Sequence, residues 1–191
     1  TMPWVALMPE RSSAQLPPAP RWKQAGRTIH VGPQGDVRTL AEAARLAADG
    51  DIVEVAAGEY RGDVAVWKQH DLVIRGTGER PSLIANGASA EGKAIFVVRG
   101  DRVRIDNLAF FGAAVRDRNG AGIRLEKGQL QINGCHFEGN QNGILTGGGE
   151  QIELEIDRSS FVANGAGDGQ SHNLYAGAIG RLTVSASYFA R

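Results

Sequence analysis

Four segments of the chain align on one another without a gap: Val103-Arg104-Ile105-Asp106-Asn107-Leu108-Ala109-Phe110, Leu130-Gln131-Ile132-Asn133-Gly134-Cys135-His136-Phe137, Leu154-Glu155-Ile156-Asp157-Arg158-Ser159-Ser160-Phe161 and Leu182-Thr183-Val184-Ser185-Ala186-Ser187-Tyr188-Phe189. Each opens on an aliphatic residue, repeats one two positions later and reaches Phe seven positions on. Their starts lie 27, 24 and 28 residues apart. A motif that returns at such a spacing marks one structural unit stacked on copies of itself. Leu72-Val73-Ile74-Arg75-Gly76 reads as an earlier, degenerate copy.

A second apolar element precedes each copy: Ile95-Phe96-Val97-Val98, Gly122-Ile123-Arg124-Leu125, Gly143-Ile144-Leu145-Thr146 and Asn173-Leu174-Tyr175-Ala176. Every period therefore holds at least two short strands joined by Gly-containing turns. One such unit cannot bury its apolar face alone. Stacked at the ~4.8 Å spacing of paired strands, successive units satisfy each other's backbones and enclose a continuous core. The aliphatic residues, the four Phe and Cys135 then form inward columns, and Asn140 and Asn164, each three residues after a Phe, form a short stack of side-chain amides. An antiparallel sandwich also has short strands, but it does not explain a constant motif at this interval. The 26 Gly of 191 residues, about twice ordinary usage, belong to the corners.

The expected organisation is a Pro-rich extended arm or linker over 1–27, holding five of the seven prolines, and one repeat domain over 28–191. That domain opens with a strand at Thr28-Ile29-His30-Val31. One helix follows, with Leu40, Ala43, Ala44 and Ala47 on a single face. Ile52-Val53-Glu54-Val55 is the next strand. The helix-to-strand entrance from Leu40 to Tyr60, followed by these rungs, resembles right-handed parallel β-helices of the pectin-lyase-like superfamily. The resemblance implies an all-β, single-stranded right-handed solenoid whose one N-terminal helix caps the open end. It leaves activity open, because the superfamily holds lyases, hydrolases, esterases, epimerases and non-catalytic adhesins.

Charge and composition exclude several classes. Lys+Arg 21 against Asp+Glu 21 gives no net charge, so the basic footprint of a nucleic-acid binder is missing. No apolar run approaches the ~20 residues of a membrane-spanning helix. A single cysteine, Cys135, forbids an internal disulfide and a Cys-rich metal site.

Outward-facing residues should carry any chemistry, one per rung along an outer groove. Aligning the first element places Phe96, Arg124, Leu145 and Tyr175 in one outward column, with Glu126 further along its strand. His172 follows the longest Gly-rich loop. His172 and Tyr175 could serve as base and acid on a sugar ring, with Arg124 neutralising a uronate carboxylate. Asp117 in the loop Gly112–Ala121 and Asp168 in the Gly-rich loop could project over the same groove and bind substrate with Glu126. Those three carboxylates could alternatively hold Ca²⁺; otherwise no cofactor is implied. Asp106 and Asp157 read as solvated face residues, and His30, His70 and His136 as isolated structural histidines.

The resulting expectation is a secreted or periplasmic protein that engages polysaccharide as a lyase or glycoside hydrolase. The alternative is a non-catalytic solenoid acting as a carbohydrate-binding, adhesion or structural scaffold. No cap follows Phe189, so the chain is expected to be a fragment of a longer one or to form a homo-oligomer through its C-terminal end.

Overall fold

The computed structural model describes residues 26–191, so most of the Pro-rich arm lies outside the described residues. Strand β1 (Thr28–Val31) and helix α1 (Leu40–Leu46) come first. Six coils follow. The first is β2 (Ile52–Val55), β3 (Glu59–Arg61) and β4 (Ala65–Trp67); the second is β5 (Leu72–Gly76), β6 (Ser82–Ile84) and β7 (Ala94–Val98). The third is β8 (Val103–Asp106), β9 (Ala109–Phe111) and β10 (Ala121–Leu125); the fourth is β11 (Gln129–Asn133), β12 (His136–Glu138) and β13 (Asn142–Thr146). The fifth is β14 (Gly149–Asp157), β15 (Ser160–Val162) and β16 (Leu174–Tyr175), and the sixth is β17 (Ile179–Ser185) with β18 (Tyr188–Ala190).

Equivalent strands of successive coils pair in parallel and build three sheets. The first sheet runs β1-β2-β5-β8-β11-β14-β17, the second β3-β6-β9-β12-β15-β18 and the third β4-β7-β10-β13-β16. The repeat is the register: Leu72, Val103, Leu130, Leu154 and Leu182 stand opposite one another, as do Phe110, Phe137, Phe161 and Phe189. A strand–turn–strand–turn–strand unit whose strands keep one register thus returns each apolar residue to the same inward position, while differences in length fall in the turns.

Ring stacking runs the length of the core. Trp67 and Phe96 meet edge to face at 5.4 Å, and Phe96 and Phe110 at 5.2 Å. Phe110, Phe137, Phe161 and Phe189 then lie nearly parallel, with centroids 5.0, 4.6 and 4.6 Å apart. Cys135 fills an inward place, and burial pushes its thiol up to about 12. In the sixth coil Leu182, Val184 and Phe189 continue the inward columns but remain 43, 41 and 40% exposed.

The ring column explains Gly122 and Gly143 at the starts of β10 and β13. A Cβ on Gly143 would lie 2.2 Å from the Asn173 carbonyl oxygen and 2.8 Å from Cδ1 of Phe161. Gly143→Ala is therefore expected to cost about 1–3 kcal/mol by overpacking, read as a lower denaturant midpoint at unchanged m-value. A neutral substitution would mean that the ring column is loosely packed.

Polar groups at the corners are satisfied in the same rung-to-rung manner. Asn140 Nδ2 donates to Asn164 Oδ1 at 2.9 Å, and Asn164 Nδ2 donates to Asn173 Oδ1 at 2.8 Å. The expected amide stack is present, and Asn173 extends it. At the N-terminal end, α1 buries Leu40 and Ala43 in the core. Thr39 Oγ1 accepts from the Glu42 amide, while the Asp63 carboxylate accepts from the Leu40 and Ala41 amides at 2.6 and 3.0 Å.

Register corrects one expected placement. Phe96 pairs with Ile123 and is fully buried in the ring column; Val97 stands beside Arg124. Along a strand a shift of one residue exchanges the inner and outer faces.

Candidate functional site

The connections between the second and third sheets differ in length from coil to coil. They span three residues (62–64), nine (85–93), nine (112–120), three (139–141) and eleven (163–173). The fourth coil therefore turns tightly between two neighbours that carry long loops. The result is a groove of about 730 Å³ over β13, within the usual size of a preformed ligand site. Asn142 and Leu145 form its floor. Asp117, Arg118 and Asn119 line one wall. Asp168, Gly169, Gln170 and His172 line the other, with Tyr175 beside them on β16.

Both walls are fixed by side chains. Gln141 reaches into the 112–120 loop, where its Oε1 accepts from the Val115 and Gly120 amides at 2.9 and 2.8 Å. Its Nε2 donates to the Val115 carbonyl at 3.2 Å. Asn140 Oδ1 accepts from the Ala113 amide at 2.8 Å, holding the foot of the same loop. Across the groove, Asp168 Oδ1 accepts from the Gln170 amide, the Ser171 amide and the Ser171 hydroxyl at 2.9, 2.9 and 2.8 Å. The His172 amide donates to Asn142 Oδ1 at 2.9 Å, which ties this wall to the floor.

Those bonds lower the Asp168 carboxyl to about 2, the Gln170 amide contributing most. Because the folded value lies below the ordinary 3.8, the loop's stabilisation by this carboxylate is complete above pH ~4 and disappears as the pH falls through ~2. The amide resonances of Gln170 and Ser171 should titrate with a midpoint near 2; a midpoint near 4 would mean that Asp168 is not bonded to them.

The structure brings Asp117, Asp168, His172 and Tyr175 to one groove. The His172 and Tyr175 rings stack with centroids 5.9 Å apart and planes 6° from parallel, and Tyr175 is 45% exposed. Arg124 stands in the column Val97–Arg124–Leu145–Tyr175. With paired strands about 4.8 Å apart, it lies one strand from the floor residue Leu145 and is not itself part of the groove lining. Among the described residues its buried Nε has no hydrogen-bond partner. No ion pair within the described residues holds Arg116, Arg118 or Arg124.

Glu126 is absent from the groove lining. Lys93 Nζ and Arg99 Nε each donate to its carboxylate at 2.6 Å, and Glu91 bonds to the same two cations. Burial pushes the Glu126 carboxyl up, but the bonds from Arg99 and Lys93 outweigh it and hold the group below its ordinary value. Asp117, Asp168 and Glu126 do not gather into one cluster. Among the described residues no group of three His, Cys, Asp or Glu is placed to hold a metal ion.

Other expected placements change as well. Asp106 is buried rather than solvated, paired with Arg104 at 2.8 Å. Asp157 pairs with Arg158 at 3.0 Å and accepts from the Ser185 hydroxyl at 3.0 Å. His136 is not isolated on the second sheet. Its Nδ1 lies 2.6 Å from Ser160 Oγ and its Nε2 2.8 Å from Glu138 Oε2. Sequence reasoning missed Asn140's hold on the wall, Gln141 and Asn142. Their polar identities at a tight corner between two long loops were the available signal.

No family model and no curated protein matches the chain. Among solved structures it is similar to a pectin methylesterase mutant in complex with a hexasaccharide, at 12% identity and a TM-score of 0.43. The similarity covers 85% of this chain and 66% of that one, so the chain spans just under two thirds of that structure's length. No helix among the described residues is long and apolar enough to cross a membrane. By its own strand order and register, the chain is an all-β parallel solenoid of about six turns.

Proposed function

We propose that the groove over the fourth coil binds an acidic polysaccharide, and that the protein works on such polymers outside the cytoplasm, in a secreted or periplasmic setting. The observation that carries this reading is a groove lined by Arg118, which has no ion pair among the described residues, and by the exposed ring of Tyr175, with Arg124 on the strand next to its floor. Several arginines elsewhere are paired: Arg75 with Glu54, Arg99 with Glu91 and Glu126, Arg102 with Asp71, Arg158 with Asp157 and Arg181 with Glu153. Guanidinium groups without a carboxylate of their own suit uronate carboxylates. The face of Tyr175 suits the apolar face of a sugar ring, and Asn119, Asn142 and Gln170 supply donors and acceptors for hydroxyls.

The catalytic form of this reading is a lyase or glycoside hydrolase. His172 would take or return a proton, Tyr175 would act as its partner, and Arg124 would neutralise the uronate. Asp168, held near 2, is ionised at neutral pH and cannot supply a proton there; it shapes the loop. The non-catalytic form keeps the binding residues and omits turnover.

Incubation with a panel of uronic-acid and neutral polysaccharides, followed by ultraviolet detection of unsaturated products and assay of reducing ends, separates the two forms. Tyr175→Ala is expected to weaken binding of an acidic polymer by about ten- to a hundredfold, the worth of a hot-spot aromatic at ~1.4–2.8 kcal/mol. Far-ultraviolet circular dichroism should not change, since the ring is outside the core. Unchanged binding by Tyr175→Ala would move the site away from this groove.

A further inference from the structure

A ligand lying along the solenoid axis would meet one outward residue per rung. The observed loop lengths oppose that course. The 112–120 loop rises from the third coil and the 163–173 loop from the fifth, while the fourth coil between them has only the 139–141 turn. The strands beneath the two walls, β10 and β16, are two inter-strand steps apart, roughly 10 Å. That leaves a slot one coil wide, closed along the axis and open along the direction of β13. The walls are also set in place before any ligand arrives. Gln141 clamps one loop by three hydrogen bonds, and Asp168 closes the other by three.

We propose that this slot takes a single unbranched glycan strand lying across the solenoid axis, parallel to β13, and that the two loops are the specificity elements that reject chains carrying side branches. The proposal rests on the reading that the groove binds acidic polysaccharide and adds the shape of the polymer and its direction. A strand in this course has Leu145 beneath it, Asp117 to Asn119 on one flank and Gln170, His172 and Tyr175 on the other. A branch on either flank meets a wall whose backbone is bonded into the fourth coil. Prebuilt walls discriminate by exclusion, because the wrong chain loses contacts and gains clashes.

The test compares two polymers of the same backbone by affinity electrophoresis: unbranched polygalacturonate and a galacturonan bearing neutral side chains at high density. The wild-type protein is expected to bind the unbranched polymer at least about tenfold more tightly, the scale of a misfit of a few atoms in a shaped pocket. Replacing residues 112–120 by a three-residue Gly-Asn-Gln turn, the sequence of the fourth coil's own corner, removes one wall and should bring the two affinities within about threefold of each other. Gln141→Ala keeps the loop but releases its clamp. It should narrow the preference in the same direction, so the test stands even where the shortened variant does not fold. Equal affinities in the wild-type protein, or a preference unchanged in Gln141→Ala, would overturn the slot while leaving polysaccharide binding intact. Binding to neither polymer would overturn the functional reading together with the slot.

Discussion

Phe137→Ala is expected to lower stability by about 3–5 kcal/mol, the range for removing a fully buried ring. Phe137 is completely buried and sits between two rings, Phe110 at 5.0 Å and Phe161 at 4.6 Å, both within 7° of parallel. Its removal opens a void in the middle of the column and deprives two neighbours of a stacking partner, each pair contributing about 0.5–1.5 kcal/mol beyond burial. Collapse is restricted because every strand around the void is paired on both sides. In a chain of this size the melting temperature should fall by on the order of 10 °C. The same substitution at Phe189 supplies the contrast. That ring stacks on one side only and is 40% exposed, so its loss should cost less than half as much as that of Phe137. Equal costs at the two positions, by chemical denaturation, would contradict a ring column in which Phe137 is stacked on both faces and Phe189 on one.

Asn140→Ala should cost about 2–5 kcal/mol and also weaken polysaccharide binding. Asn140 is 1% exposed. Its Oδ1 accepts from the buried Ala113 amide at 2.8 Å, and its Nδ2 donates to the Phe110 carbonyl at 3.0 Å and to Asn164 Oδ1 at 2.9 Å. Alanine removes these partners and leaves Ala113 N–H buried without one, a penalty of about 1–3 kcal/mol for such a group. The Phe110 carbonyl loses a donor as well. Asn140→Asp discriminates between loss of volume and loss of bonding. Aspartate keeps the acceptor for Ala113 but turns an oxygen toward the Phe110 carbonyl and Asn164 Oδ1, so it should be at least as damaging as alanine. Because Ala113 is the foot of the 112–120 wall, both variants should bind an acidic polymer more weakly than their residual stability alone explains. An aspartate variant as stable as the wild type would contradict the amide ladder.

The fold was legible because the repeat dictates the register. Two aliphatic residues and a Phe at fixed offsets leave one alignment of successive coils, and that alignment places Leu130 on Leu154 and Phe137 on Phe161. The site was legible in part. The long segments 112–121 and 164–171 stood out as loops, and Asp117, Asp168 and His172 were placed from them, while Tyr175 came from the outward column of the first strand element. The groove itself depends on the contrast between those loops and the three-residue corner at 139–141, which emerges only when the second and third strands of every coil are bounded. Glu126 was misassigned for a related reason. Its partner Arg99 lies 27 residues earlier, one repeat interval, and residues one interval apart become lateral neighbours. Opposite charges at that offset stack as ion pairs, as Arg181 and Glu153 do at 28 residues. Ordinary helix or hairpin spacing gives no hint of such pairs. The misplacement of Phe96 has a simpler origin: a strand's two faces differ by one residue, and it is Val97 that stands opposite Arg124.

Amide hydrogen exchange read peptide by peptide, with and without a saturating unbranched polyuronate oligosaccharide, tests most directly whether the groove over the fourth coil is the binding site. The expected result is slower exchange in the 112–120 and 163–173 loops and at the edge of β13, with β11 and β14 on the first sheet unchanged. Protection confined to the first sheet, or none at all under saturating ligand, would contradict it.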